Sequence, residues 1–129
     1  MDSRKSYNQI TFDIRGASFQ VYNELGPGLL ETVYQNTLAY ELINKGYKVE
    51  KEVPLPITYK NMTFDVAFRI DLLIEEKVLV EIKSVEKILK VHHKQILTYM
   101  KLSNIKLGLL INFNSDNLVK SIHRKVLNF

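Results

Sequence analysis

The sequence predicts a mixed α/β domain, and three observations carry that prediction. Two stretches near the start show helical spacing of apolar residues. The middle of the chain alternates apolar and polar residues and holds a hairpin. A third helical stretch then separates that hairpin from a short, wholly apolar run.

In the first stretch Ile10, Ile14, Ala17, Val21 and Leu25 recur at helical spacing, with Phe12, Phe19 and Tyr22 widening the stripe. A helix is expected over roughly residues 7–25. Gly26-Pro27-Gly28 ends it, because two glycines and a proline do not continue a helix. A second helix is expected from about Leu30 to Lys45, with Val33, Leu38, Leu42 and Ile43 as apolar positions and Gly46 as terminator. Tyr47–Val53 alternates as a strand does. Pro54 and Pro56 bracket Leu55 and mark an edge, a bulge or a break, and Ile57–Tyr59 resumes extended structure before a turn at Lys60-Asn61.

Thr63–Ile74 and Val78–Val85 read as a hairpin around Glu75-Glu76-Lys77. A three-residue loop sets Ile74 opposite Val78, Leu72 opposite Val80, Ile70 opposite Ile82 and Asp71 opposite Glu81. Ile70, Leu72, Ile74, Val78, Val80 and Ile82 then share one apolar face, with Arg69, Asp71, Glu81 and Lys83 on the other. A two-residue loop would mix the sets, since one residue of slip flips a strand's faces. Facing carboxylates repel unless a cation or a basic group holds them.

Val91–Ser103 reads as a third helix, contacting through Val91, Gln95, Ile96, Tyr99, Met100 and Leu102. Lys106–Phe113 is a buried strand, Asn114–Asn117 a turn, and Leu118–Leu127 a closing strand or helix. The helix-then-strand step places the apolar strand parallel to the one before it, through a crossover.

At 129 residues the chain is read as one domain over residues 1–129, and its 46% hydrophobic and 25% charged residues are ordinary for a globular protein. No apolar run approaches the ~20 residues of a membrane span, and Met-Asp-Ser-Arg-Lys-Ser-Tyr-Asn lacks the apolar core of a signal peptide. With no cysteine there is no disulfide, thiolate site or thiol nucleophile, and the expected compartment is cytoplasmic. The net charge of +4 is uneven. Residues 1–76 carry eight Lys/Arg against eleven Asp/Glu, a net −3; residues 77–129 carry ten against three, a net +7. A basic half beside a carboxylate cluster suits a polyanion over a metal site, and a solvated basic surface accounts for the same asymmetry.

The chemistry-bearing set starts from Asp71 and Glu81-Ile-Lys83. Their charges stand among Leu, Ile and Val, where they are costly unless paired, solvated or bound to metal. Hard oxygen ligands suit Mg²⁺ or Mn²⁺, and Lys83 is suited to orient or deprotonate water or to hold phosphate; an exposed cross-strand salt-bridge cluster is the plainer reading. Gln95 and Tyr99, one helical turn apart, suit contacts to a nucleotide or to the charged group. His92 lies one turn from Gln95 on the same groove. Arg124, within His123-Arg124-Lys125, is a candidate phosphate contact near the end. Glu31, in Gly28-Leu-Leu-Glu31-Thr-Val-Tyr34, is favourable at a helix N-terminus and is placed to add a ligand to the hairpin; Glu41 is read as solvated.

Together these residues resemble the GxxExxY family of small prokaryotic proteins, whose naming motif is Gly28, Glu31 and Tyr34 here. The resemblance runs from about Ile10 to Lys125 and includes Leu25-Gly-Pro-Gly28, Phe68-Arg-Ile-Asp71, Glu81-Ile-Lys83, His92, Gln95, Tyr99 and Leu107–Phe113. Tyr22 stands where some members have His. The resemblance implies the PD-(D/E)XK nuclease superfamily and a restriction-endonuclease-like αβββαβ core, with a helix added in front and helices flanking a mixed sheet. By that resemblance Asp71 and Glu81 are metal ligands, Glu31 the helix-borne acid beside them, and Lys83 the catalytic lysine. Gln95 and Tyr99 match the Gln-x-x-x-Tyr pattern of RecB-like nucleases. The expected activity is Mg²⁺- or Mn²⁺-dependent phosphodiester hydrolysis of DNA or RNA. The alternative is a non-catalytic nucleic-acid-binding or protein-interaction module on the same fold. Small domains of this type commonly form homodimers, and nothing in the sequence marks an interface.

Overall fold

A computed structural model describes residues 5–127, with the backbone alone for 66 and 67. The first four residues, part of the N-terminal stretch read above for a signal peptide, lie outside the described residues. Helix α1 spans Tyr7–Leu25, capped by the Ser6 hydroxyl, which accepts from the Gln9 N–H at 3.1 Å. Helix α2 spans Glu31–Asn44. Strands β1 (Val49–Tyr59), β2 (Met62–Ile74) and β3 (Val78–Lys83) follow, then helix α3 (Lys90–Ser103) and strand β4 (Leu107–Asn112). A 3₁₀ turn over Leu118–Ser121 leads into strand β5 (Ile122–Val126), so the closing segment is both helical and extended.

The five strands lie in the order β1-β2-β3-β4-β5. Only β3 and β4 run parallel, joined through α3 as the crossover expectation requires; the other neighbours are antiparallel. The order αβββαβ behind a leading helix is the restriction-endonuclease-like core. No helix among the described residues is long and apolar enough to cross a membrane.

One core lies between the sheet and helices α1 and α2. It holds Ile10, Ile14, Ala17, Tyr34, Leu38, Leu42, Leu72, Ile74, Val78, Val80 and Ile82. The second lies under α3 and holds Leu55, Ile70, Leu73, Leu79, Ile96, Tyr99, Met100 and Leu110. Several apolar residues assigned to the helix stripes are exposed instead: Phe12, Val33, Ile43, Val91 and Leu102. At about 100° per residue Phe12 points away from Ile10 and Ile14. On α2 the buried set is Tyr34, Gln35, Leu38, Ala39 and Leu42.

The hairpin loop is three residues, with Ile74 opposite Val78 and Leu72 opposite Val80. Of the six aliphatics expected on one face, five pack toward α1 and α2, whereas Ile70 packs under α3. The reason lies across the ladder. Glu52 of β1 has a left-handed backbone (φ 51°), and the β1–β2 pairing runs Lys51 to Leu72 and Val53 to Ile70 while skipping Glu52 and Asp71. Alternation restarts there in both strands, so Val49 lies on the α1–α2 side and Val53 on the α3 side. Further out, the prolines do not break β1. It is an edge strand, and its register shifts between Leu55 and Ile57.

Candidate active site

The candidate site lies where β2 and β3 part. Their backbone pairing ends at Leu72 and Val80. In its place the next two side chains hold the strands together: the Glu81 carboxylate accepts from the Asp71 N–H at 3.0 Å, and the Asp71 carboxylate accepts from the Ile82 N–H at 2.7 Å. Asp71 and Glu81 therefore do face each other, each tied to the opposite strand's backbone. Glu81 is only 4% exposed. Burial pushes both carboxyls up, Asp71 to about 6 and Glu81 to about 8, with mutual repulsion adding to the rise of Glu81. The amide hydrogen bonds and the Lys83 ammonium pull the other way without overcoming it.

Lys83 ends β3, and its ammonium donates to the Gln95 side-chain carbonyl of α3 at 3.4 Å. Tyr99, one turn further along α3, is buried against Phe68 of β2 with ring centroids 5.2 Å apart. Its hydroxyl is pushed up by burial first, then by the charges of Glu81 and Asp71.

Glu31 reaches the site from the other side of the sheet. It opens α2, where its charge suits the exposed amides of the first turn, and its carboxylate accepts from the Ser84 N–H at 3.2 Å. It also raises the proton affinity of Asp71 and Glu81, as a nearby negative charge must. The preceding loop is built to hold it there. Gly26 (φ 71°) and Gly28 (φ 99°) take up left-handed backbone that suits glycine. The Tyr34 hydroxyl donates to the Gly26 carbonyl at 2.5 Å and accepts from the Leu29 N–H at 3.1 Å, while its ring stacks on Phe113 at 4.6 Å. The Ser84 hydroxyl donates to the Leu29 carbonyl at 2.5 Å. The Gly-x-x-Glu-x-x-Tyr spacing is thus one local device: glycine makes the turn, tyrosine clips it, and glutamate is presented to the end of β3. Tyr34→Phe keeps the stack and loses both hydrogen bonds. It is expected to lower stability by about 1–2 kcal/mol, read as a melting temperature lower by several degrees.

Asp71, Glu81, Lys83 and Gln95 thus lie where β2 and β3 part, with Tyr99 one turn along α3 and Glu31 fastened at Ser84 just past the end of β3. Two other candidates take different places. The Nδ1 of His92 accepts from the Leu89 N–H at 3.0 Å and so caps the start of α3. Arg124 is exposed on the edge strand β5, with β4 between it and β3. Its neighbour His123 lines an open cleft of about 630 Å³ beside the ends of β3 and β4, together with Pro27, Lys87, Asn112 and Lys120.

Two further residues shape the site. Asn112 is buried at the end of β4, and its side-chain amide pairs with the Val85 N–H (3.1 Å) and carbonyl (2.9 Å), fixing the chain just after Lys83. An Asn inside an otherwise apolar run was its one visible signal. Glu52 adds negative potential at Asp71, and is held by the Gln35 amide at 3.1 Å and by Arg69 at 3.6 Å.

A sequence profile of the PD-(D/E)XK nuclease superfamily matches residues 8–125. The chain belongs to the PD-(D/E)XK nuclease superfamily. No curated protein and no solved structure matches it. Membership in the PD-(D/E)XK superfamily points to nuclease chemistry, a nucleic-acid substrate and, as is general in that group, a divalent metal. Among the described residues no three His, Asp or Glu side chains form a ready-made metal cage. The donor set nevertheless fits a magnesium-type ion, which commonly binds through one or two carboxylates and keeps its remaining positions for water and phosphate. A buried and a half-buried carboxylate that repel each other are what such an ion relieves.

Proposed function

We propose that the protein is a Mg²⁺- or Mn²⁺-dependent phosphodiesterase acting on DNA or RNA, of the GxxExxY type. The observation that carries this reading is the facing pair of half-buried Asp71 and buried Glu81, each held by the opposite strand's backbone, with raised proton affinity and with the Lys83 ammonium near enough to oppose that rise. Asp71 and Glu81 would hold the metal, with Glu31 assisting through water. A divalent ion there supplies charge stabilisation at phosphorus and acidifies water. Lys83 orients the attacking water or a phosphate oxygen, and Gln95 holds Lys83 in that position. Tyr99 forms a wall of the site one helical turn from Gln95. Lys87 and Lys120 offer positive charge along the adjoining cleft, which Glu86 and Asp116 also line.

The test is cleavage of labelled single- and double-stranded DNA and RNA by purified protein with Mg²⁺, Mn²⁺ or chelator. Metal-dependent product from at least one substrate is expected, with activity falling steeply as salt rises. Absence of product from all four, together with a melting temperature that Mn²⁺ leaves unmoved, would sink the proposal.

A further inference from the structure

Strands β1 and β2 run on past the rest of the sheet. Beyond the register shift only Ile57–Tyr59 and Met62–Phe64 remain, paired with each other around the Lys60-Asn61 turn. The arm they form is two-faced. Tyr59 stands opposite Met62 and Ile57 opposite Phe64, so all four side chains share one face, whereas the opposed pair Thr58 and Thr63 occupies the other. The apolar face is bare: Tyr59 is 60% exposed, Met62 56% and Phe64 49%.

Its position ties it to the candidate site. Phe64 and Asp71 are on the same strand, at most about 23 Å apart at full extension. At the root of the arm Phe68 lies against Tyr99, one helical turn from the Gln95 that holds Lys83. At its tip the Lys60 ammonium lies 5.4 Å from the Tyr59 ring centroid. Arg69, next to Phe68 on the way to Asp71, is exposed and lies 3.6 Å from Glu52.

We propose that this arm is a stacking platform for unpaired bases, and so that the substrate is single-stranded nucleic acid or a frayed end. This rests on the nuclease reading. Two aromatic rings and a thioether on one ribbon face offer flat, polarisable surface to bases of any sequence, while the flanking cations meet the phosphates. The exposed parts of four side chains fall well short of the roughly 800 Å² that each partner gives to a stable protein interface. A continuous duplex would keep its bases stacked on one another and leave the platform unused.

Binding without cleavage tests the platform apart from the chemistry. In chelator, fluorescence anisotropy is measured with a labelled single-stranded oligonucleotide, the same strand with abasic positions, and a blunt duplex. Wild type is expected to prefer the base-bearing strand. Tyr59→Ala/Phe64→Ala is expected to weaken that binding by roughly five- to hundredfold, with abasic-strand affinity unchanged. Tyr59→Phe/Phe64→Tyr should retain wild-type affinity, which separates stacking from damage to the arm. The platform is overturned if wild type shows no preference for bases, or binds no strand. It is also overturned if the double alanine variant binds as wild type, or if that variant changes only the oligomeric state in sedimentation. Arm-dependent binding in a protein that cleaves nothing with Mg²⁺ or Mn²⁺ would remove the catalytic reading alone.

Discussion

Replacing Lys83 by alanine is expected to lower metal-dependent cleavage by roughly 10²–10⁴-fold while nucleic-acid affinity in chelator changes little. The expectation follows from where the ammonium is placed. Lys83 is half-buried at the last position of β3, held at Gln95, and close enough to Asp71 and Glu81 to lower the proton affinity of both. A charge in that position acts on the reacting phosphate and water rather than on distant parts of a substrate, so its loss should fall on kcat more than on KM. Lys83→Arg keeps the charge but replaces a compact point donor by a planar fork and should rescue little. Gln95→Ala removes only the group that positions Lys83, so a smaller loss is expected. Asp71→Asn should match or exceed the lysine variant, because it takes away one of two carboxylates. Single-turnover cleavage rates decide it. A Lys83→Ala enzyme within about threefold of wild type would leave the lysine as an ion-pair partner and no more.

The hairpin that carries these residues was legible because its pattern admits one register. Only a three-residue loop separates the aliphatics from the charges. The helices were legible in extent, since Ser6, the Gly26–Gly28 turn and Gly46 punctuate them, but less so in facing. Phe12, Val33 and Ile43 are apolar without being buried. Composition does not say which side of a helix meets the sheet when apolar residues occur all round. The reversal of faces at Glu52 and Asp71 had no sequence signal. Left-handed backbone is announced by glycine and rarely by glutamate, so Ile70 was assigned by simple alternation to the wrong side. The approach of Glu31 to β3 was suggested both by its place on the helix and by family resemblance. Its physical basis emerges in three dimensions, where Tyr34, Gly26 and Ser84 fasten the loop. His92 has a local role that its spacing did not announce. Its spacing from Gln95 is helical, but a side chain at the third helical position is well placed to cap the helix start.

The second large effect is on stability, and its sign runs against intuition for a carboxylate held by backbone amides. Asp71 rises from its ordinary 3.8 to about 6 and Glu81 from 4.5 to about 8 on folding, chiefly because both are buried. The folded state then holds protons more tightly than the unfolded chain. The stability this contributes is fully present below about pH 4 and is lost as pH rises through about 6 for Asp71 and about 8 for Glu81. Without metal, the pair should weaken the fold by an amount on the order of several kcal/mol between these limits. The groups facing the pair set this balance: Lys83 opposes the rise, whereas Glu31 and, for Asp71, Glu52 reinforce it. Glu81→Gln keeps an oxygen to accept from the Asp71 N–H and removes the larger of the two ionisations. Its melting temperature is expected to match wild type near pH 4, to exceed it increasingly as pH rises toward about 8 and to hold that margin above it, while cleavage is lost. Mn²⁺ at alkaline pH should raise the melting temperature of wild type saturably, because an ion that binds only the folded state stabilises it by mass action. The same titration should move Glu81→Gln little, since the charge that made the site costly is the charge that attracts the ion. Parallel pH profiles for the two proteins in chelator would show that Glu81 does not carry the excess proton affinity. Equal Mn²⁺ shifts would show that it is not a ligand.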